Sequence, residues 1–298
     1  MPRSISKLMT AVVVTAGLIG PGCGTGADGR LVVPDSPDGT VRIVLTGVAA
    51  RRPEVVWQAL PPSYQSDVSE LVRLFADTIN PALHQRLVVV ARKAVVVLQT
   101  NKDLILASDA AHGVAADPVV ADVAWEAMIH AADLLLASEL ADLGALRDLD
   151  VEAFLATTGS AIMERAAELP AIGGGKATVA DRLRTLARSE VELVSIDGDL
   201  ARVRVALPDR EAVDLDMTRI EGRWVPIELA ARWPELVANA EAEITILDAR
   251  NGGRAELIAF VALGVAESFI DQLAEVETVE EVDQLAGSFA IGPALGRR

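Results

Sequence analysis

Two features of the sequence predict a helix-rich α+β protein. Apolar residues recur at helical spacing through most of the chain, as in Val68, Leu71, Val72, Phe75 and Ile79. Over about residues 189–225 the period drops to two. Ala201, Val203, Val205 and Leu207 alternate with Arg202, Arg204 and Ala206, and Val213, Leu215 and Met217 alternate with Asp214, Asp216 and Thr218. The expected architecture is a helical N-terminal part, a small antiparallel β-meander and C-terminal helices. At 298 residues the chain can form one large domain or two small ones. The division expected is a helical region over 39–169 and a meander with C-terminal helices over 179–298, which could join into one domain. Apolar residues make up 51% but aromatics only 3%, so the core must be built from Ala, Val and Leu.

Met1 to Lys7 carries Arg3 and Lys7 and no acid; Leu8 to Ile19 is uncharged, and Gly20-Pro21-Gly22 precede Cys23. A basic stretch, a short apolar run and small residues describe a secretory signal peptide over 1–22. Twelve helical residues rise only about 18 Å, against a hydrocarbon core of about 30 Å, so cleavage is expected rather than a span. Cys23 is the only cysteine and has no internal disulfide partner. Its position after Gly22 resembles that of the lipid-modified cysteine of bacterial lipoproteins. The resemblance implies lipidation of Cys23 and an exported protein anchored at the cell envelope, in the outer membrane of a Gram-negative cell because Gly24 follows. The alternative is ordinary cleavage with a free or dimerising thiol. Loss of Arg3 and Lys7 with the leader takes the net charge from −16 to −18. That charge repels phosphate backbones and anionic headgroups, so nucleic acid is not an expected partner and the lipid would be the membrane attachment.

Residues 23–38 form the expected tether, a Gly, Pro, Asp and Ser-rich stretch within GTGADGRLVVPDSPDG. Thr40 is placed to cap a first helix, Pro53 to open a second, and Pro61-Pro62 a third reaching about Ile79. Pro81 to Thr100 holds two Val triplets that favour strand. Its polar residues, however, fall seven to eight apart, at His84/Gln85, Arg92/Lys93 and Gln99/Thr100, which predicts a buried helix. Further helices are expected over Asp117–Leu146 and Asp150–Leu169.

Pro170 to Thr178 breaks the pattern, and the meander follows. A three-residue loop at Pro208-Asp209-Arg210 pairs Val205 with Val213 and Val203 with Leu215, and sets Arg204 opposite Asp214 and Arg202 opposite Asp216. A one-residue slip would oppose each Arg to an apolar side chain. Asp197-Gly198-Asp199 likewise pairs Val191 with Val205 and Leu193 with Val203. Glu221-Gly222 turns the chain into Arg223-Trp224-Val225. Helix resumes at Pro226, with an interruption expected at Trp233-Pro234, and continues over Arg254–Val276 and Thr278–Ala290. The apolar run Leu257–Ala266 is ten residues long and is assigned to a core.

The segment VVWQALPPSY, taken with DGDLARVRVALPDREAVDLDMTRIEGRWVP, resembles secreted bacterial lipoproteins with a cone-shaped α+β domain of the nuclear transport factor (cystatin-like) kind. The resemblance covers about a quarter of the chain and implies a fold rather than an active site. The long helical stretch between the two segments departs from the family plan.

Few residues carry chemistry. Glu126 and His130, four apart between Asp122 and Asp133 on one helical face, could share a divalent metal; the plainer reading is a solvated acidic face. Gly173 to Lys176 (GGGK) fails as a phosphate loop, because Pro170 holds the first Gly position and Ala177 replaces Ser or Thr. Gly159-Ser160 lacks the G-x-S-x-G context, and His84 and His112 stand alone. No catalytic residue and no cofactor are expected. Trp224 and Trp233 flank the exit from the sheet, either capping the core or lining an apolar ligand pocket. The function expected is a non-enzymatic binding or structural role at the envelope, with a protein partner. The alternatives are a carrier or sensor of a small apolar ligand and, third, an unrecognised enzyme. An apolar cavity between sheet and helix, lined by Trp224, separates the first two.

Overall fold

The computed structural model of the chain describes residues 32–109, 117–169, 178–208, 210–246 and 253–291. In chain order the helices are α1 (Pro37–Ala49), α2 (Glu54–Ala59), α3 (Pro62–Thr78), α4 (Pro81–Thr100), α5 (Lys102–Ala107), α6 (Pro118–Ala137) and α7 (Leu143–Arg147). There follow α8 (Val151–Phe154), a π-helical turn (Leu155–Gly159), α9 (Ser160–Ala167) and α10 (Val179–Ala187). Strands β1 (Glu190–Asp197), β2 (Leu200–Ala206), β3 (Val213–Ile220) and β4 (Arg223–Pro226) lead into α11 (Ile227–Ile246), α12 (Arg254–Ala274) and α13 (Val279–Ile291). The protein is a helix-rich α+β molecule with one small antiparallel sheet between helical parts, as the two periodicities predict. The Cys23 position, the leader, most of the tether, His112 and Gly173–Lys176 lie outside the described residues.

The chain divides into two units that interleave along the sequence. Of the described residues, one contains those up to Phe75, Asp148–Ala167 and Val179–Glu243; the other contains those within Ala76–Arg147, Glu168–Thr178 and from Ile244 onward. The expected parts, 39–169 and 179–298 with the option that they join into one domain, are drawn by sequence, whereas the two units are drawn by contacts and take residues from both parts. The sheet instead gathers α1 and α2 onto its inner face, and the C-terminal helices pack on the middle of the chain.

In the sheet unit, α1 starts before Thr40. The Ser36 hydroxyl accepts the Gly39 N–H at 3.2 Å, and Pro37 takes the first turn, where its missing N–H costs nothing. Residues 37 and 38, expected in the tether, are therefore helix. The strands run in the order β1-β2-β3-β4, all antiparallel. The observed β2–β3 register pairs Val205 with Val213, Arg204 with Asp214, Val203 with Leu215 and Arg202 with Asp216, as the alternation requires. Val191 and Leu193 meet Val205 and Val203, and a bulge after Leu193 then shifts the pairing of β1. The final turn uses positive φ at Glu221 (50°) and Gly222 (76°), the geometry a two-residue hairpin loop favours.

These pairings send two chemistries to opposite faces. Outside, Arg202 and Arg204 each make two hydrogen bonds to Asp216 and Asp214, at 2.7–3.2 Å. Inside, Ala201, Val203, Val205, Met217 and Trp224 pack with Val41 and Leu45 of α1. Arg42 donates to the Val191 carbonyl at 2.9 Å and ties α1 to β1. The interruption expected in α11 does not occur, and the helix passes through Pro234. Proline removes one hydrogen bond, and packing on both sides offsets the loss. Trp233 stacks on Tyr64 at 4.1 Å and donates to Asp67 at 2.7 Å, while Leu229 and Leu236 face the sheet.

In the other unit, α4 is a helix despite its valines, because Val90 and Val97 fall seven apart and bury against Ile270 and Leu273 of α12. The two helices run parallel. Arg86 pairs with Glu267 at 3.0 Å, Lys93 pairs with Asp271, and Asn101 donates to the Leu273 carbonyl at 2.8 Å. His84, 6% exposed, hydrogen-bonds through Nε2 to the Leu140 carbonyl. The run Leu257–Ala266 is not core: Leu257, Ile258, Val261 and Val265 are 50–64% exposed. The residues that α12 buries come later, at Ile270 and Leu273. Glu256–Ala274, with mean hydropathy 1.7, is long and apolar enough to cross a membrane, and 11% of it is buried.

Candidate functional site

The sheet unit contains a cavity of about 420 Å³, within the range of small-molecule sites. Its floor is the apolar face of the meander: Val205 from β2, Leu215 and Met217 from β3, Trp224 and Val225 from β4. Helix α1 supplies one wall with Thr40, Val41, Val44 and Leu45; Val56, Ala59 and Leu60 come from and beside α2. The remaining wall is α11, with Glu228, Leu229, Arg232 and Leu236. Aliphatic side chains dominate because the chain has few aromatics to fill such a space. Valine and leucine leave room where a Phe or Trp would reach across.

Polar groups are sparse in the lining. The Thr40 hydroxyl is committed to the Pro34 carbonyl at 3.1 Å. Glu228 and Arg232 are exposed, one helical turn apart. Trp224 is 3% exposed, and its buried indole N–H has no acceptor among the described residues. The Arg219 guanidinium stands 5.9 Å from the centre of the Trp224 ring and donates to Asp35 at 2.6 Å. Arg219 and Trp224 are register partners across β3 and β4, so the sheet itself sets this contact.

The two tryptophans have different roles. Trp224 lines the cavity, whereas Trp233 is absent from the lining and joins α11 to α3 through Tyr64 and Asp67. Burial, with the Asp67 and Glu221 carboxylates, holds the Tyr64 phenol above its ordinary value of 10.0. Glu221 also accepts the Ser63 N–H at 2.9 Å, so the β3–β4 turn caps the start of α3.

Glu126 and His130 are not brought together with a third ligand: among the described residues no group of three His, Cys, Asp or Glu could hold a metal. The Lys102 ammonium stands between the Asp122 and Glu126 carboxylates, at 2.6 and 2.5 Å. Those two carboxylates hold Lys102 above its ordinary 10.5. A cation is thus already built into that acidic face.

The sequence singled out Trp224, which lines the cavity, and did not single out Arg232, which lines it too. The available signal was Leu229, Arg232 and Leu236 at i, i+3 and i+7, a core-facing stripe with a charge in the middle. No protein-family model matches the chain, and no curated protein and no solved structure matches it. The class defined by fold and site is a helix-rich α+β protein with an apolar cavity on its sheet.

Proposed function

We propose that this chain is an exported envelope lipoprotein, anchored through Cys23, that binds a small apolar molecule in the sheet cavity and performs no chemistry on it. The cavity is the observation that carries this reading: about 420 Å³, aliphatic on floor and walls, with Trp224 in the lining. A filled space between sheet and helices would have favoured a purely structural role. The ionisable lining groups, Glu228 and Arg232, are solvent-exposed at the rim of the cavity. An arginine keeps its proton in proteins, so the two do not make an acid–base pair. Anchoring rests on the sequence alone, on the basic and apolar leader followed by Gly22-Cys23.

The test uses N-phenyl-1-naphthylamine, an apolar dye whose emission rises on leaving water. The expected result is a saturable rise with the full chain, reduced at least tenfold in Val44→Phe, a variant whose ring fills the space while its melting temperature stays near that of the parent. No saturable binding, or equal binding by Val44→Phe, overturns the reading; equal binding would put the dye elsewhere, such as on the exposed face of α12. Mass spectrometry of the protein from membranes is expected to find Cys23 as the acylated N-terminus. An unmodified N-terminal peptide refutes the anchor.

A further inference from the structure

The rim of the cavity points to the chemistry of its occupant. On α11 the spacing Leu229, Arg232, Leu236 follows the helix face turned toward the cavity. A guanidinium therefore stands in line between two leucines, where an aliphatic side chain would serve a filled core. Arg232 has an exposed side chain and makes no hydrogen bond or ion pair among the described residues. Among the described residues of the same unit Arg51, Arg73, Arg182, Arg188, Arg210 and Arg223 likewise show no side-chain partner, and what sets Arg232 apart from them is its place in the cavity lining. The site thus offers a cation that calls for an acceptor oxygen, beside an aliphatic space.

Two plainer accounts are weaker. Glu228 lies four residues before Arg232, the order that favours a surface ion pair, yet the two are not joined in the structure. Snorkelling alone would explain a guanidinium reaching water from an apolar stripe. It would not explain an open cavity beside the stem, at about 420 Å³. That volume is roughly three times a cavity known to accept benzene, so it suits a medium-length alkyl chain.

We propose that the ligand is an amphiphilic monocarboxylic acid of medium chain length, its alkyl body in the cavity and its carboxylate on Arg232. The proposal rests on the cavity being a ligand site. Carboxylate and guanidinium suit one another through paired N–H···O bonds, which an alcohol or amine head cannot reproduce. Glu228, a turn away, weakens this attraction, so its neutralisation strengthens binding.

The experiment titrates the full chain with dodecanoate and with 1-dodecanol, both below aggregation, following tryptophan emission and dye displacement. Expected are a preference of at least tenfold for the acid, loss of that preference in Arg232→Gln, partial retention in Arg232→Lys, and tighter acid binding in Glu228→Gln. Equal affinity for acid and alcohol in the parent, or a preference that survives Arg232→Gln, overturns this proposal and leaves the apolar site standing. Failure of dye, acid and alcohol alike to bind overturns the site and the proposal together.

Discussion

At the scale of single residues, two glycines give opposite expectations for one substitution. In a helix interior, Gly→Ala stabilises by about 1 kcal/mol through backbone entropy. A Cβ on Gly287 in α13 meets nothing within 4 Å, so Gly287→Ala is expected to gain up to about 1 kcal/mol. At Gly47 in α1 the same atom would fall 2.6 Å from Val55 Cβ and Cγ2 and 2.9 Å from Cγ1. No rotamer of Val55 clears a clash with its own Cβ, and Val55 is fully buried. Overpacking of about 1–3 kcal/mol outweighs the entropy gain, so Gly47→Ala is expected to lose stability in urea denaturation. A Gly47→Ala variant as stable as the parent would mean that α1 and α2 can separate freely. Met217, 1% exposed under Trp224, is expected to cost about 2–5 kcal/mol when cut to alanine.

At the scale of elements, the Arg/Asp ladder on the outer face of β2 and β3 sets an acid dependence. Hydrogen bonds from Arg204 and Arg202 hold the Asp214 and Asp216 carboxyls below their ordinary 3.8. A carboxyl depressed in the folded state stabilises above its unfolded pKa and loses that contribution as pH falls through the folded value. Calorimetry of Asp214→Asn/Asp216→Asn is expected to show a lower melting temperature at pH 7 and a shallower decline below about pH 4. An unchanged acid limb would mean the pairs add nothing, as exposed pairs sometimes do. This register was legible because two constraints agreed: apolar alternation fixed the face, and opposed charges fixed the offset. The continuity of α11 was not, since local rules end a helix near Pro234, and only the Tyr64 and Asp67 contacts to Trp233 show what holds it. Helix α10 was missed because it is nine residues long and follows a Gly-rich break. The core assignment of Leu257–Ala266 failed for a related reason, since hydropathy says a residue avoids water and not whether a partner covers it.

At the scale of the whole molecule, Leu257, Ile258, Val261 and Val265 place exposed apolar surface along α12, the kind of surface that limits solubility. Val261→Lys is expected to stay within about 0.5 kcal/mol of the parent, since the side chain is 59% exposed, and to raise the concentration at which light scattering detects aggregation. A large loss of stability would mean that face is covered in solution. Composition and period gave the fold class; the assignment of each helix to a unit could not be read, because it depends on pairings such as Arg42 with Val191, 149 residues apart. That interleaving also governs how the protein can be made. The sheet unit needs segments ending at Phe75, Ala167 and Glu243, so α1 and α2 are synthesised long before their strands exist. At about 5–20 residues per second, they wait roughly 10–30 s with Val41, Leu45 and Val55 uncovered. Neither unit can be cut out as a continuous fragment, and a chain that stalls before Glu243 completes neither. Folding after release of the whole chain suits such a wiring better than folding piece by piece.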